Sequence, residues 1–296
     1  MRFGLCLPNF TALATPEAID ATAAAAERLG WDSVWTTDHV LVDSSDAAAE
    51  YRTNFDVIQT LAWVGARYPT IRLGTSVIVV PQRNAIVLAK ELATLDALSG
   101  GRVIAGVGGG WSETEFANLA MGHRFSVRGA YLEETIGLWR HLWSGSGDPF
   151  EGRFHQLSDY VFGPLPVQRA TLPIWIGGRA DAALERAGRL ADGYHSSATS
   201  PASFAKRIPL IRAAAEAAGR PMPTLSARVR VAFGEPVRSA EPRYYAMRGS
   251  AEDVAAEVSS WAAIGVEHLA LFFEVSSPAA FREAAERFDA EVLPLT

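Results

Sequence analysis

The chain of 296 residues is predicted to fold as a (β/α)8 barrel, the TIM-barrel architecture, with insertions. Eight short apolar runs have the composition of buried strands, and a helical or irregular segment follows each of them. A barrel of this kind needs roughly 250 residues, which the chain supplies. An open doubly wound sheet is the alternative, because it also alternates strands with helices. We expect one domain over residues 1–296, with an insertion at about residues 144–172.

The predicted strands are rich in Val, Ile, Leu and aromatic residues. They span 2–7, 33–37, 71–80, 102–107, 173–176, 193–196, 225–233 and 267–273. Helices are predicted over 16–29, 56–66, 86–98, 128–142, 180–190, 201–218, 250–264 and 278–288, with a short helix as one option over 112–119. The insertion lacks helical periodicity, and a small hairpin is predicted around residues 154–157.

The composition excludes several classes of protein. A net charge of -6 gives no general attraction to nucleic acid or to anionic membranes. Cys6 is the only cysteine and lies in an apolar run, so we expect a buried side chain and no disulfide. No apolar run reaches the roughly 18 residues of a membrane span, and the first eight residues are interrupted too early for a signal peptide. The cytoplasm is the expected location.

Polar residues and glycines recur where the predicted strands end. They are Asn9, Asp38, His39, residues 76–81, residues 108–111, residues 177–179 and His195. In a (β/α)8 barrel all loops that follow strands lie on one face, and active sites are built there. The sequence therefore predicts one candidate site from these loops. Taken alone, the three glycines at 108–110 fit an ordinary turn equally well.

Seven motifs occur in a fixed order along the chain: 37–39 (TDH), 73–77 (LGTSV), 88–102 (LAKELATLDALSGGR), 106–111 (GVGGGW), 128–132 (RGAYL), 173–178 (PIWIGG) and 191–195 (ADGYH). In combination they resemble the bacterial luciferase-like superfamily, and most closely its branch of deazaflavin-dependent oxidoreductases that use coenzyme F420. The resemblance covers nearly the whole chain. It implies a (β/α)8 barrel with insertions and a flavin or deazaflavin in the barrel mouth.

The resemblance also implies roles for the strand ends. A non-prolyl cis peptide at Ser76-Val77 would form a bulge that supports the ring. His39 would stand at the reactive edge of the ring and relay a proton, while Asp38 would bond the cofactor or fix the loop. The glycine loops would bring backbone N–H groups to the anionic side chain of the cofactor. The predicted cofactor-binding residues are Asp38, His39, Ser76, Val77, Gly108, Gly109, Gly110, Gly177, Gly178 and Arg179, and the predicted substrate-lining residues are Phe10, Trp111, Tyr194 and His195; no metal site is expected.

The chain departs from the sugar-phosphate dehydrogenases that it resembles. Those members carry Glu directly after the glycine loop and Trp four residues after the histidine, where this chain has Trp111 and Asp43. A different substrate and a different acid–base pair are therefore expected. Glu113 and Glu115 are interpreted first as carboxylates in a helix's first turn, with a catalytic role as the less favoured alternative. Arg83 is interpreted first as part of a salt-bridged or solvated surface.

The leading hypothesis for function is hydride transfer between C5 of F420 and a small organic substrate, with His39 as the catalytic residue. The alternatives are an FMN-dependent monooxygenase that uses O2, a non-catalytic flavin-binding barrel, and a cofactor-free isomerase or aldolase for which Glu274 is the nearest base. A flavin or F420 reductase is an expected partner. A homodimer is also expected, and the apolar helix 86–98 is compatible with it.

Overall fold

Eight parallel strands close into a barrel in the computed structural model, which describes residues 1–45, 48–234 and 245–296. The strands are β1 (Arg2–Cys6), β2 (Ser33–Thr36), β3 (Arg72–Thr75), β5 (Val103–Gly108), β8 (Ile174–Ile176), β9 (Gly193–Ser197), β10 (Thr224–Phe233) and β12 (His268–Phe273). Each pairs in parallel with the next, and β12 pairs with β1. The closed ring confirms the (β/α)8 prediction and excludes the open sheet.

The bulge predicted in the third strand is present. The run predicted as one strand over 71–80 divides into β3 and β4 (Ile78–Val79), and the Ser76-Val77 peptide between them is cis, as expected. Gly74 pairs with Ile104 and Ile78 pairs with Val107, so four steps along this strand oppose three along β5. One extra residue is therefore accommodated between β3 and β4, which defines a bulge.

Ten helices pack around the barrel in the described part of the chain. They are α1 (Pro16–Arg28), α2 (Val57–Arg67), α3 (Ala85–Ser99), α4 (Glu113–Asn118), α5 (Arg128–Ser144), α6 (Asp181–Leu190), α7 (Pro201–Ala205), α8 (Ile208–Ala217), α9 (Ala251–Ala263) and α10 (Ala280–Arg287). The side chains of Thr15, Asp56, Asn84 and Ser250 cap four of these helices. The single helix predicted over 201–218 is wrong: it divides into α7 and α8, because Pro209 lacks an N–H and is tolerated only in a first turn.

Two smaller strand pairs complete the fold. The predicted hairpin is confirmed as β6 (Phe150–Glu151) and β7 (Gln156–Leu157), which pair antiparallel inside the insertion. A further strand that was not predicted, β11 (Ala246–Gly249), pairs in parallel with the long β10. Cys6 is buried as expected, and burial raises the pKa of its thiol to about 11. No helix among the described residues is long and apolar enough to cross a membrane.

Large rings fill the barrel interior, and glycines on the strands make room for them. Trp35 stacks on His195 with 4.7 Å between ring centroids, and Trp175 and His268 pack against Trp35. A Cβ atom added at Gly74 would lie 2.4 Å from the Trp35 ring, and the barrel wall must therefore carry glycine there.

Candidate active site

A cavity of about 580 Å³ opens at the carboxyl ends of the barrel strands. Its size is typical of a site for a small molecule or cofactor. It brings together eleven of the residues predicted for the site: Asp38, His39, Ser76, Val77, Gly108, Gly109, Gly110, Trp111, Gly177, Gly178 and Arg179. Their individual roles stay predictions, but their common location follows from the closed barrel.

Phe10, Tyr194 and His195 were expected to line this site, and the structure corrects that expectation. All three are at most 2% exposed and are absent from the cavity wall. Phe10 stacks on Phe272, and Tyr194 donates a hydrogen bond from its hydroxyl to the Gly178 carbonyl at 2.9 Å. His195 points into the barrel. Successive residues of a strand face opposite sides of the wall, so Tyr194 packs outward on Phe204 of α7. His195 faces inward but lies below the cavity, where it contacts Ser76.

His39 is held in the cavity wall by Glu115. The Nδ1 atom of His39 lies 3.0 Å from Glu115 Oε2, and both side chains are buried. The other Glu115 oxygen accepts hydrogen bonds from the amides of Val40 and Leu41 at 2.8 and 3.1 Å. Ser112 caps α4 by accepting a hydrogen bond from the Glu115 amide, and Glu115 lies in the first turn of this helix. Glu115 thus fixes both the imidazole and the loop that carries it.

The charge state of Glu115 determines how the imidazole is used. Burial opposes ionisation of this carboxyl, but hydrogen bonds from His39 and from the Val40 amide outweigh burial and lower its pKa. An ionised carboxylate only accepts hydrogen bonds, so Nδ1 of His39 must carry a hydrogen. The Nε2 atom is then the nitrogen left for chemistry. It offers a lone pair when the ring is neutral and a proton when the ring is charged.

Asp38 fixes the same loop from the other side. Its carboxylate accepts hydrogen bonds from the Val79 amide at 3.0 Å and from Arg83 at 2.7 and 3.3 Å. Arg83 also pairs with Asp56. These contacts hold the loop in place, and a hydrogen bond between Asp38 and the cofactor stays a prediction. Arg83 is salt-bridged, as interpreted from the sequence, and these two carboxylates raise the pKa of its guanidinium although burial opposes this.

The glycines of the two loops make room for Val77. An added Cβ at Gly108 would lie 2.7 Å from the Val77 side chain, and one at Gly177 would lie 3.0 Å from it. Gly110 has a φ of 77°, which disfavours other residues. The glycine loops therefore accommodate the bulge, and they also expose their backbone to the cavity.

Arginines give the cavity a positive lining although the chain is acidic overall. Arg128, Arg179, Arg186 and Arg228 line it, and Asp38 is the one carboxylate among the lining residues of the described chain. Arg128 begins α5 and Arg179 precedes α6, and neither helix has a side-chain cap. The first amides of both helices are thus left without a side-chain partner. Two open helix N-termini with arginines beside them favour an anion.

The sequence analysis gave Glu115 a catalytic role only as the less favoured alternative, and it did not name Arg186 or Arg228. Glu115 contacts a histidine 76 positions away, and Arg228 comes from the middle of a strand. The available signal for Glu115 was its position in a first turn, which is also where carboxylates are favoured for local reasons. No cluster of His, Cys, Asp and Glu suited to a metal ion occurs within residues 1–45, 48–234 and 245–296.

Comparison with protein families and curated proteins identifies the relatives of the chain. A family model described as luciferase-like monooxygenase matches residues 1–291. An F420-dependent glucose-6-phosphate dehydrogenase of Nakamurella multipartita is 33% identical over 211 residues, which cover 69% of this chain and 60% of that protein. A 5,10-methylenetetrahydromethanopterin reductase of Methanolobus tindarius is 30% identical over 198 residues, covering 67% and 55%. The chain thus spans about 60% or less of the length of these two relatives.

Solved structures share the fold at low sequence identity. The F420-dependent tetrahydromethanopterin reductase of Methanopyrus kandleri superimposes with a TM-score of 0.81 at 18% identity, covering 99% of this chain and 98% of that one. An F420-dependent secondary alcohol dehydrogenase gives a TM-score of 0.83 at 20% identity, with the same coverage. At these identities the likeness establishes the barrel architecture.

Proposed function

Because the chain belongs to the luciferase-like monooxygenase family, we propose that it is an oxidoreductase that binds coenzyme F420 in the barrel-mouth cavity. Its reaction would be hydride transfer between this deazaflavin and a small organic substrate. The first curated relative above is named as F420-dependent, which supports this cofactor, and the second is named as a reductase, which supports redox chemistry.

The observation that carries the proposal is that one cavity joins a proton-transfer group to an anion-binding wall. His39 and the bulge at Ser76-Val77 line the same space as Arg128, Arg179 and Arg186. This combination suits a redox cofactor that has a flat ring and an anionic side chain. The bulge would support the ring, and the arginines with the first amides of α5 and α6 would bind the phosphate and carboxylates of the side chain.

The deazaflavin, when bound, would supply the two-electron redox chemistry. The chain's own residues would orient the substrate, exclude water and move a proton. His39 would give or take that proton at Nε2, while Glu115 keeps the hydrogen on Nδ1 and balances the positive charge. Trp111 packs edge-on against His39 with 5.7 Å between ring centroids and would close the cavity beside it.

Titration of the purified protein with reduced F420 and with FMN, followed by fluorescence, tests the proposal. Arg186→Gln should weaken F420 binding, because Arg186 lines the cavity. Arg189→Gln is the matched control: Arg189 also pairs with Glu133 but is absent from the cavity wall. Failure of the wild-type protein to bind either cofactor would sink the proposal.

An FMN-dependent monooxygenase is the second candidate, and the anion-binding wall supports it because FMN also carries a phosphate. Oxygen consumption with reduced FMN and a panel of organic substrates distinguishes it from hydride transfer to or from F420. A non-catalytic flavin-binding barrel would retain cofactor without turnover, and His39→Ala would then change nothing. The reductase partner, the homodimer and the cytoplasmic location stay predictions.

A further inference from the structure

Six side chains form a continuous hydrogen-bond chain through the barrel interior, which we call the barrel chain. From its inner end it runs Trp35 Nε1 to Ser33 Oγ (2.8 Å), Ser33 Oγ to His268 Nε2 (3.0 Å), His268 Nδ1 to Ser226 Oγ (2.9 Å), Ser226 Oγ to His195 Nδ1 (2.8 Å) and His195 Nε2 to Ser76 Oγ (2.9 Å). Its last member, Ser76, lines the cavity. The barrel chain thus connects the cavity to a point deep in the barrel.

The inner end of the barrel chain fixes the direction of its hydrogen bonds. The indole N–H of Trp35 can only donate, so it occupies one lone pair of Ser33. Ser33 is fully buried, and in the described part of the chain its hydroxyl has no acceptor other than His268 Nε2. A buried donor left unpaired costs roughly 1–3 kcal/mol, so Ser33 donates to His268 Nε2.

Once Ser33 is the donor, the donor and acceptor of each following hydrogen bond are determined in turn. Burial lowers the pKa of both His195 and His268 well below the ordinary value, so each ring is neutral and carries one N–H and one lone pair. With Nε2 accepting, His268 must donate from Nδ1 to Ser226. Ser226 then donates to His195 Nδ1, and His195 donates from Nε2 to Ser76.

Among the described residues around His268, one carboxylate favours the opposite direction of these hydrogen bonds. The Oδ2 atom of Asp32 lies 3.8 Å from His268 Nε2 and would attract an N–H there. That oxygen is already bonded to Arg72 at 2.6 Å, and Ser33 is closer to the imidazole. Gly4 supports the compact arrangement, because an added Cβ there would lie within 2.9 Å of Trp35 Nε1, Ser33 Oγ and His268 Nε2.

We propose that the barrel chain is a positioning device that holds the Ser76 hydroxyl as a hydrogen-bond donor towards the cavity. Ser76 accepts from His195, and the described residues offer no other hydrogen-bond partner to its side chain. Its own hydrogen is therefore free for a ligand. The ligand should present an acceptor at this point, such as a carbonyl oxygen or an unprotonated ring nitrogen. This last step rests on the proposed function, because it needs a ligand in the cavity.

The tautomers of the two buried histidines test the direction without any ligand. Long-range ¹H–¹⁵N correlation spectra of the histidine-labelled protein at neutral pH should show opposite tautomers: His268 protonated at Nδ1 and His195 protonated at Nε2. The same tautomer in both rings, or protonation of His195 at Nδ1, would overturn the proposal. The wild-type spectrum alone decides this.

Ser33→Ala should reverse the barrel chain. Without the Ser33 donor, Asp32 is left as the stronger influence on His268, so His268 should move to the Nε2–H form and His195 to the Nδ1–H form. Ser196→Ala is the matched control, because Ser196 is equally buried beside His195 but bonds Arg207 instead. Unchanged tautomers in Ser33→Ala would contradict the direction argued here.

The same pair of variants tests the effect on binding. Reversal turns the Ser76 hydroxyl inward, so Ser33→Ala should weaken F420 binding roughly fivefold, the value of one hydrogen bond, while Ser196→Ala should not. Equal affinity in both variants would overturn the role of Ser76 as a donor. If the wild-type protein binds no F420, the proposed function fails while the tautomers still decide the direction of the chain.

Discussion

Two histidine environments lie close together in this barrel and differ in their partners. His39 stands in the cavity wall with the ionised Glu115 at 3.0 Å. His195 and His268 are fully enclosed beneath it, and serine hydroxyls are their nearest partners. A carboxylate can balance a charge that the imidazole gains, whereas a hydroxyl cannot. The partner and the depth of burial, more than the residue type, therefore decide which histidine can exchange a proton with a ligand.

The cavity wall and the barrel interior are also held together by different kinds of polar group. Charged groups act at the cavity wall, where Glu115 and Asp38 fix the loop after β2. Neutral groups act inside the barrel, where a charge would be cut off from solvent. Each region should therefore respond to pH in its own range.

Acid should destabilise the barrel interior, and this is the largest expected effect. Burial lowers the pKa of His195 and His268 more than any neighbouring charge does. Below about pH 6.5 these two rings therefore bind protons in the unfolded chain but stay neutral in the folded one. Their contribution to stability is complete above this pH and is lost as the pH falls. The unfolding free energy should drop by about 1.4 kcal/mol per pH unit for each ring. Urea unfolding between pH 7.5 and 5.5 measures the slope.

His268→Leu should remove about half of that slope, and His123→Gln serves as the control because His123 is exposed on a surface turn. A slope that stays the same in His268→Leu would show that the acid sensitivity lies elsewhere, and the contrast between the two histidine environments would lose its support.

Glu115→Gln should break the cavity-wall pair at a smaller cost. The side-chain nitrogen of the new glutamine cannot accept a hydrogen bond from His39 Nδ1. Hydrogen bonds to a charged group contribute roughly 1.5–3 kcal/mol to stability. Since the pKa of Glu115 is lowered from 4.5, its contribution is present above that pH and is lost as the pH falls through the folded-state pKa. Urea unfolding should therefore show a difference of about 2 kcal/mol at pH 7 that shrinks below pH 4.5. Glu113→Gln, an exposed carboxylate in the same turn, should be neutral.

Trp111→Ala should have the smallest effect on stability. Trp111 is 52% exposed and touches His39 only edge-on, so the unfolding free energy should change by no more than about 0.5 kcal/mol. Ligand affinity should fall, because Trp111 lines the cavity. Trp63→Ala provides the comparison: Trp63 is 40% exposed and lies outside the cavity wall, so its variant should keep the wild-type affinity. Equal ligand affinities in the two variants would show that Trp111 does not contribute to ligand binding.

Much of the fold was predictable because local patterns specify it. The strands follow from their apolar runs, and Thr15, Asp56 and Ser250 mark helix starts through caps that act within four residues. The bulge at Ser76-Val77 was predicted from the family resemblance. The break between α7 and α8 was missed although Pro209 signals it, because the apolar period continues across the break.

The sequence by itself determined the eight strand–helix units, and with them the set of loops at the barrel mouth. Only the tertiary structure decided which side chains of those loops face the cavity. Tyr194 and His195 were predicted to line it and face elsewhere, while Glu115, Arg186 and Arg228 enter the site region from distant positions. The physical reason is that strand and helix formation depend on neighbours along the chain. The pairing of His39 with Glu115, or of His195 with Ser226, depends on barrel closure, which joins residues that no local pattern connects.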